Sequence, residues 1–297
     1  MPLLKSISDA IYDNDYPHDV LGIICEYVPH KQRIFSSYDY SVILRDDGTL
    51  HSWGNNYYGQ VSNTPKGSEF ISVSSGPLHS VALRDDGTFH SWGDDRDGQV
   101  SGTPKGSRFI SVSAGRYHSV ALKDDETLHS WGCDNRFGQV SNTPTGSGFT
   151  LVSVGAFHSV ALKDDGTLHS WGCDRNSQMS TTPTGSGFIE ISAGKHHSVA
   201  LKYDGTLHSW GDDNYGQVSN TPKGSVFISI SSGSWHSTAL KYDGTLHSWG
   251  NNERGQISDT PKGSGFIEIS AGGDYSVVLK NNGTIRAWGN DTYRTCF

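Results

Sequence analysis

The chain has 297 residues, 36 of them Gly, with a formal net charge of −8. This length is sufficient for a large core, and the abundance of Gly, Ser, Thr, Asn and Asp is typical of short strands joined by turns rather than of a helical bundle. No apolar run approaches the roughly 20 residues that a membrane helix needs. The acidic balance and the lack of any Lys/Arg cluster exclude nucleic acid as an expected direct partner, because phosphate backbones are also negative.

The first 31 residues precede the repeated part of the chain. They lack the charged and apolar regions of a secretory signal, so the four Cys predict free thiols in a reducing compartment, cytoplasmic or nuclear. The stretch "YPHDVLGIICEYVPH" (16–30) predicts a short helix with Pro17 in its first turn, Asp19 at its positive end and Pro29 at its stop. We expect this helix to pack its apolar face on the rest of the protein.

Residues 16–28 also resemble the opening LPxDVLxxIxxYL of an F-box. That resemblance implies docking of a ubiquitin-ligase adaptor. An F-box continues through further helices, whereas strand-like sequence begins here by about Arg33, so the box would be truncated.

The rest of the chain repeats one unit of about 40 residues. The dipeptide WG recurs seven times at spacings of 39, 39, 40, 39, 39 and 39 residues, at Trp53, Trp92, Trp131, Trp171, Trp210, Trp249 and Trp288. Such a fixed period predicts stacked or radially arranged copies of one supersecondary unit.

Each unit predicts an antiparallel meander, as the second copy illustrates. FISVS (70–74) alternates like a strand, HSVAL (79–83) is a second strand, and DDG (85–87) is a hairpin turn that leads into TFHSWG (88–93). The Pro-broken GQVSNTPKGS segment predicts at most a short or irregular outer strand. Three or four strands cannot bury their faces alone, so we expect seven copies to close into a β-propeller, the alternative being a linear array with polar capping repeats.

The pattern G-x-x-HS-x-AL-x-x-DG-x-x-x-x-WG-x-N-x-x-GQ, with copies at 76–99, 115–139 and 194–217, resembles the repeat of the RCC1 (regulator of chromosome condensation) family. The resemblance covers roughly residues 32–290 and implies an all-β fold: a seven-bladed β-propeller at 32–297, preceded by a short N-terminal helical segment at 1–31. The end units depart from the pattern: Tyr40 and Tyr275 replace His, and the last copy reads NNGTIRAWG. The sequence stops nine residues after Trp288, so we expect a truncated last outer strand or one supplied from elsewhere.

The residues that suggest chemistry are repeated in register, which indicates a structural role. Eleven of the fourteen His occupy the HSW and HSV/HST positions, where we expect side-chain hydrogen bonds to the backbone or to the neighbouring blade. Paired Asp residues abut hairpin turns, and Cys133 and Cys173 occupy matching loop positions as free thiols. No nucleophile–base set, metal-ligand cluster or phosphate loop stands apart from the repeat, so we predict a non-enzymatic protein without metal or cofactor.

The copies differ mainly just before the second strand and just after WG. Alternate turns of an antiparallel meander lie on one face, so these two segments predict a single face, here called the variable face. Aromatic residues and Arg are enriched in interface hot spots, whereas unconstrained drift would leave small polar residues. The candidate partner-binding residues are Tyr57, Tyr58, Arg96, Arg116, Tyr117, Arg136, Phe137, Phe157, Arg175, His196, Tyr215, Trp235 and Arg254.

These patterns favour a monomeric protein–protein interaction module that uses the variable face. The RCC1 resemblance implies an alternative, guanine nucleotide exchange on a Ran-like small GTPase; the family's namesake uses an inserted β-wedge and a basic tail for its activities. The uniform spacings between Trp53 and Trp288 leave no room for such a wedge, and the N-terminal segment is not basic. A further alternative is an F-box-like substrate adaptor for ubiquitin ligation.

Overall fold

The computed structural model describes residues 33–36, 40–134 and 137–290. The predicted helix within residues 1–31, the candidate Arg136 and the residues after 290 lie outside the described residues.

The described chain forms seven antiparallel sheets, each of three strands paired in chain order. We call these sheets blades 1 to 7. Blades 1 to 3 comprise β1 (Arg33–Ser36), β2 (Tyr40–Leu44), β3 (Leu50–Gly54), β4 (Phe70–Ser75), β5 (His79–Arg84), β6 (Phe89–Gly93), β7 (Phe109–Ala114), β8 (His118–Lys123) and β9 (Leu128–Gly132). Blades 4 to 7 comprise β10 (Phe149–Val154), β11 (His158–Lys163), β12 (Leu168–Gly172), β13 (Phe188–Ala193), β14 (His197–Lys202), β15 (Leu207–Gly211), β16 (Phe227–Ser232), β17 (His236–Lys241), β18 (Leu246–Gly250), β19 (Phe266–Ala271), β20 (Tyr275–Lys280) and β21 (Ile285–Gly289).

The blades are arranged as a closed ring with the first strand of each blade innermost. Each innermost strand lies beside the innermost strand of the next blade, and β1 contacts both β4 and β19. The predicted seven-bladed propeller is therefore confirmed, and the linear array is excluded because the last blade returns to the first.

The hairpin between the second and third strands is formed by the predicted Asp-Gly turn. In blade 2 the Asp86 carboxylate accepts hydrogen bonds from the Thr88 backbone N–H at 2.8 Å and from the Thr88 hydroxyl at 2.6 Å. Gly87 has φ 78°, a conformation that costs glycine little. The repeated acidic pairs are thus turn-forming residues, as predicted.

The expected outer strand is absent from the described residues, and tight turns replace it. In the first copy the Asn56 side-chain oxygen accepts hydrogen bonds from the backbone N–H groups of Val61 and Ser62 at 3.0 and 2.9 Å. Asn63 N–H donates to the Gly59 carbonyl at 3.1 Å. Because these groups are satisfied within the segment, they are not free to pair with β3.

The hydrophobic core lies between blades rather than within one sheet. One cluster joins Val42 and Leu44 of blade 1 to Phe70, Val73 and Trp92 of blade 2, and the same arrangement recurs around the ring. In blades 2 to 7 the tryptophan of the WG pair also donates its indole N–H to the carbonyl of the Gln in the preceding copy, at 2.9 Å from Trp92 to Gln60. Full burial of such a side chain contributes roughly 1.5–3 kcal/mol, so neighbouring blades stabilise each other.

A second set of contacts joins neighbouring blades near the axis. The aromatic residue that starts the second strand bonds the serine hydroxyl of the following blade, at 2.7–2.8 Å, in the pairs Tyr40–Ser80, His79–Ser119, His118–Ser159, His158–Ser198, His197–Ser237, His236–Ser276 and Tyr275–Ser41. The predicted structural role of the HSV/HST histidines is confirmed.

The HSW histidines behave differently from the prediction. Those of blades 2 to 6 lie edge-on to the phenylalanine of their own blade, as His208 does to Phe188 with ring centroids 5.4 Å apart. Within the described residues His90 is the one HSW histidine whose ring forms a side-chain hydrogen bond, at 3.2 Å to Arg84 of its own blade. This position shares the Trp face of the third strand and reaches solvent at its edge, so its ring nitrogens need no partner in a neighbouring blade.

Candidate partner-binding face

Backbone hydrogen bonds join the two variable segments in blades 2 to 7. The residue after WG donates its N–H to the carbonyl of the residue before the second strand, as in Asp94 to Leu78 (2.9 Å), Asp212 to His196 (2.9 Å) and Asn251 to Trp235 (2.8 Å). Both segments therefore lie on one face, as the meander predicts, while the Asp-Gly turns lie at the opposite end of the strands.

Four candidate residues form a continuous row of rings across blades 3 to 6. Successive ring centroids are 5.1 Å apart from Tyr117 to Phe157, 5.7 Å from Phe157 to His196 and 5.1 Å from His196 to Trp235. All four rings are partly buried. We call this row the aromatic arc; its mutual packing holds the rings in place, and each ring keeps part of its surface exposed.

The segments after WG add rings and cations to the aromatic arc. Phe137 lies 6.0 Å from Phe157, and Tyr215 lies 5.7 Å from Trp235. Arg175 is exposed and stacks over Phe137 at 4.9 Å. These contacts extend the aromatic arc outward from the axis.

Two cations flank the aromatic arc on its axial side. Arg116 lies over Tyr117 at 5.2 Å, and Lys195 lies over Trp235 at 4.6 Å. Lys195 was not among the candidates drawn from the sequence. Its position just before His196, matching Arg116 in blade 3, is the sequence signal that would have included it.

Blades 1 and 2 hold a second group of candidates. The Tyr57 and Tyr58 rings are 4.8 Å apart, and Arg96 stacks over Tyr58 at 4.5 Å while donating to its hydroxyl at 2.7 Å. The Arg96 guanidinium also bonds Asp94, and hydrogen bonding to Asp94 raises the Arg96 pKa. This cation is thus already paired within the chain, although Tyr57 is 83% exposed.

The remaining described candidate is Arg254, which is exposed. Its backbone N–H donates to the Gln256 side-chain oxygen at 2.8 Å. The equivalent Gln accepts in the same way from the backbone N–H groups of Tyr58 and Tyr215. This glutamine is therefore a turn-forming residue, and the residue two positions before it differs between copies.

Exposed apolar side chains also occur at the opposite end of the strands. Tyr203 and Tyr242 replace the first Asp of the hairpin in blades 5 and 6 and are 62% and 46% exposed. The sequence shows these replacements, in turns that otherwise vary little between copies. Exposed area alone does not select a face; what distinguishes the variable face is its continuous row of partly exposed rings packed across several blades.

The described residues offer little for metal or redox chemistry. No group of three or more His, Cys, Asp or Glu in 33–36, 40–134 and 137–290 is placed to hold a metal ion. Cys133 and Cys173 are free thiols, as predicted. In this part of the chain there is likewise no helix with the length and hydropathy required to cross a membrane.

Taken with the fold, these features define a seven-bladed β-propeller with one elaborated face. Comparison with protein families finds the Regulator of chromosome condensation (RCC1) repeat seven times, at 32–60, 70–99, 109–139, 149–178, 188–217, 227–256 and 266–294. The chain therefore belongs to the RCC1 repeat family. Comparison with curated proteins gives no match.

Solved structures with the same fold come from distant proteins. The ectodomain of the Physcomitrella patens receptor kinase CR4 is 21% identical, with a TM-score of 0.74 over 86% of this chain and 73% of that one. Prp20p of Saccharomyces cerevisiae, described with its binding properties to Gsp1p and histones, is 20% identical with a TM-score of 0.68 over 90% and 85%. Human WBSCR16 is 16% identical, with a TM-score of 0.68 over 89% and 88%. At these identities the likeness concerns the fold.

Proposed function

We propose that this protein is a non-enzymatic interaction module that binds a protein partner through the variable face. The observation that carries the proposal is the aromatic arc, a preformed row of rings on a rigid scaffold. Aromatic side chains provide a large contact area with little entropy left to lose on binding, and they are frequent at interface hot spots.

The test is affinity capture from cells of the source organism with the intact protein and two matched variants. One variant carries Tyr117→Ala, Phe157→Ala and Trp235→Ala. The control carries Tyr203→Ala, Val226→Ala and Tyr242→Ala, which removes exposed apolar side chains at the opposite end of the strands. Thermal unfolding of each variant establishes that it is folded.

A partner retained by the control and lost only from the arc variant is the expected result. Equal capture of all partners by the intact protein and the arc variant would overturn the proposal. Loss from the control alone would transfer the binding surface to the opposite face.

Guanine nucleotide exchange on a Ran-like GTPase is the second candidate, favoured by the likeness to Prp20p. The described strands are nearly the same length in every blade, and no insertion that could form a wedge interrupts them. We expect nucleotide release from such a GTPase to stay at its spontaneous rate when this protein is added. Acceleration above that rate would reverse the ranking of the two candidates.

We also propose that residues 1–31 form a segment separate from the propeller at 32–297. The same proposal includes an intracellular and monomeric protein. The start of the first repeat match at residue 32 supports the division. Fold alone does not assign a compartment, because relatives with this fold include the ectodomain of a receptor kinase.

A further inference from the structure

A small cavity lies on the axis of the ring at the variable face. Its volume is ≈ 100 Å³, and among the described residues blades 2 to 7 each contribute the last residue of the first strand and the two residues that follow. Five of the glycines in these turns direct their missing Cβ at the carbonyl of the next blade's glycine, within 2.4 Å of it. The cavity wall is thus backbone, and the side chains around its mouth come from the residue after each glycine.

Those side chains differ in length between blades, and a short one leaves a gap at the mouth of the cavity. Blades 3 and 5 place Arg116 and Lys195 at this position, and blade 4 between them has Ala156. The two long cationic side chains therefore flank a short one, with Phe157 of the aromatic arc beside it.

Neither cation is paired with an acid. In the described part of the chain, ion pairs are formed by Arg84, Arg96 and Arg108, and not by Arg116 or Lys195. The Nε atom of Arg116 is buried and has no hydrogen-bond partner there, and neither has Nδ1 of His196. Unpaired buried nitrogens of this kind are costly unless a ligand satisfies them.

The electrostatic surroundings agree with the geometry. Burial lowers the pKa of Lys195, Arg116 lowers it further, and Asp274 acts in the opposite direction. Burial also lowers the pKa of His196, with Lys195 and Arg116 adding to the effect. The groups are close enough to repel one another, and an anion between them would relieve that repulsion.

The net charge of −8 does not contradict a local preference for anions. Screening limits the influence of distant charges to about 8–10 Å at physiological ionic strength. Arg116 and Lys195 are both partly buried, and partial burial strengthens a short-range contact with an anion.

A single anionic group fits this site better than a nucleic-acid backbone. The same face carries exposed acids, among them Asp95, Asp213 and Glu253, which repel a chain of phosphates. One carboxylate or phosphate over Ala156 avoids them.

We propose that the axial mouth binds one anionic side chain, a carboxylate or a phosphate, of an extended partner segment whose apolar side chains lie on Phe157 and Trp235. This inference rests on the proposed function and specifies the chemistry of the partner.

The experiment is selection of a random 12-residue peptide library displayed on phage against the intact protein. Enriched peptides are resynthesised in three forms, with the selected acid, with its neutral amide, and with phosphoserine in its place. Their affinities are measured by fluorescence anisotropy for the intact protein, for Arg116→Ala/Lys195→Ala and for the charge-matched control Lys105→Ala/Lys223→Ala. A 12-nucleotide single-stranded RNA is measured in parallel.

The expected result is enrichment of Asp or Glu next to aromatic or aliphatic residues. The affinity should fall about tenfold or more for Arg116→Ala/Lys195→Ala and for the amide form, and stay unchanged in the control. Tighter binding of the phosphoserine form would identify phosphate as the preferred anion, and weaker binding would identify carboxylate.

Three outcomes would overturn the inference. Selected peptides whose binding depends on Trp235 but that carry no acidic residue would overturn the anion site and leave the proposed function intact. If the RNA binds and no peptide does, Arg116 and Lys195 would instead be part of a nucleic-acid site. A selection that yields no peptide sensitive to Arg116→Ala/Lys195→Ala would also reject it, and the capture experiment would still decide the proposed function separately.

Discussion

The hydroxyl oxygens of Tyr275 and Ser41 lie 2.8 Å apart although the residues are 234 positions apart in the chain. The Tyr275 hydroxyl also donates to the Tyr40 carbonyl at 3.3 Å. Ring closure thus uses the same contact between an aromatic residue and a serine that joins blades adjacent in sequence.

Tyr275→Phe and Ser41→Ala are each expected to lower the free energy of unfolding by about 1–2 kcal/mol, because each removes the buried hydrogen bond between the two hydroxyls. Urea denaturation measures both losses. The double variant should lose less than the sum, and strictly additive losses would contradict a direct contact. Tyr40→Phe provides the matched control at an interface between consecutive blades.

Acid is expected to destabilise the ring steeply. Burial lowers the pKa of His118, His158 and His197 to about 3 and that of His79 and His236 to about 4. In the unfolded chain these groups titrate near ~6.5. The contribution of these histidines to the free energy of unfolding is fully present above that pH. It is lost as pH falls toward their pKa values in the folded protein, by about 1.4 kcal/mol per pH unit for each histidine. Urea midpoints between pH 7.5 and 5 test this.

A single substitution isolates one histidine from this acid dependence. Blades 1 and 7 have Tyr at the equivalent position, so His118→Tyr offers a hydroxyl to Ser159 without titrating, and His118→Gln is a smaller alternative. Both should show a shallower loss of stability with acid, by about one proton's slope. An unchanged slope in both would mean that His118 does not control the transition.

Glu190 is expected to act in the opposite direction. Its Oε1 atom accepts from the Ser229 hydroxyl at 3.1 Å and the Ile230 N–H at 3.3 Å in the next blade. Burial raises the Glu190 pKa to about 7, above the unfolded value, so its contribution is present in acid and lost as pH rises through 7. Glu190→Gln should therefore raise the melting temperature at pH 8 more than at pH 5, whereas the exposed Glu253→Gln should not change this difference.

Glu126 occupies a turn position that suits glycine. Its φ is 64°, and the matching residues of the other blades are glycines such as Gly87 and Gly166, at 78° and 75°. An L-residue pays roughly 1–2 kcal/mol in this region, so Glu126→Gly should stabilise the protein by about 1 kcal/mol in urea denaturation. The reciprocal Gly166→Ala is expected to destabilise it, and a neutral result for both would show that the turn tolerates side chains.

Much of the fold was readable from the spacing of WG, because a nearly constant period leaves every blade the same size and every interface the same shape. The variable face followed from the antiparallel meander alone, because alternate turns lie on the same face. The sequence allowed at most a short or irregular outer strand, and the described blades have none because side chains such as Asn56 satisfy this segment internally. The packing of Phe157 against His196 needed coordinates, since it depends on the angle between neighbouring blades.

The hydrogen bonds that join neighbouring blades near the axis have a consequence for the number of blades. A serine is the partner at every interface, so these polar contacts would join six or eight copies as readily as seven. The count must therefore be determined by the wedge shape of the inter-blade core, where Trp92 and its equivalents fill the wide outer side and glycines allow the narrow inner one. Gain or loss of a whole unit by recombination between these near-identical copies would leave every polar pair satisfied and strain only the packing.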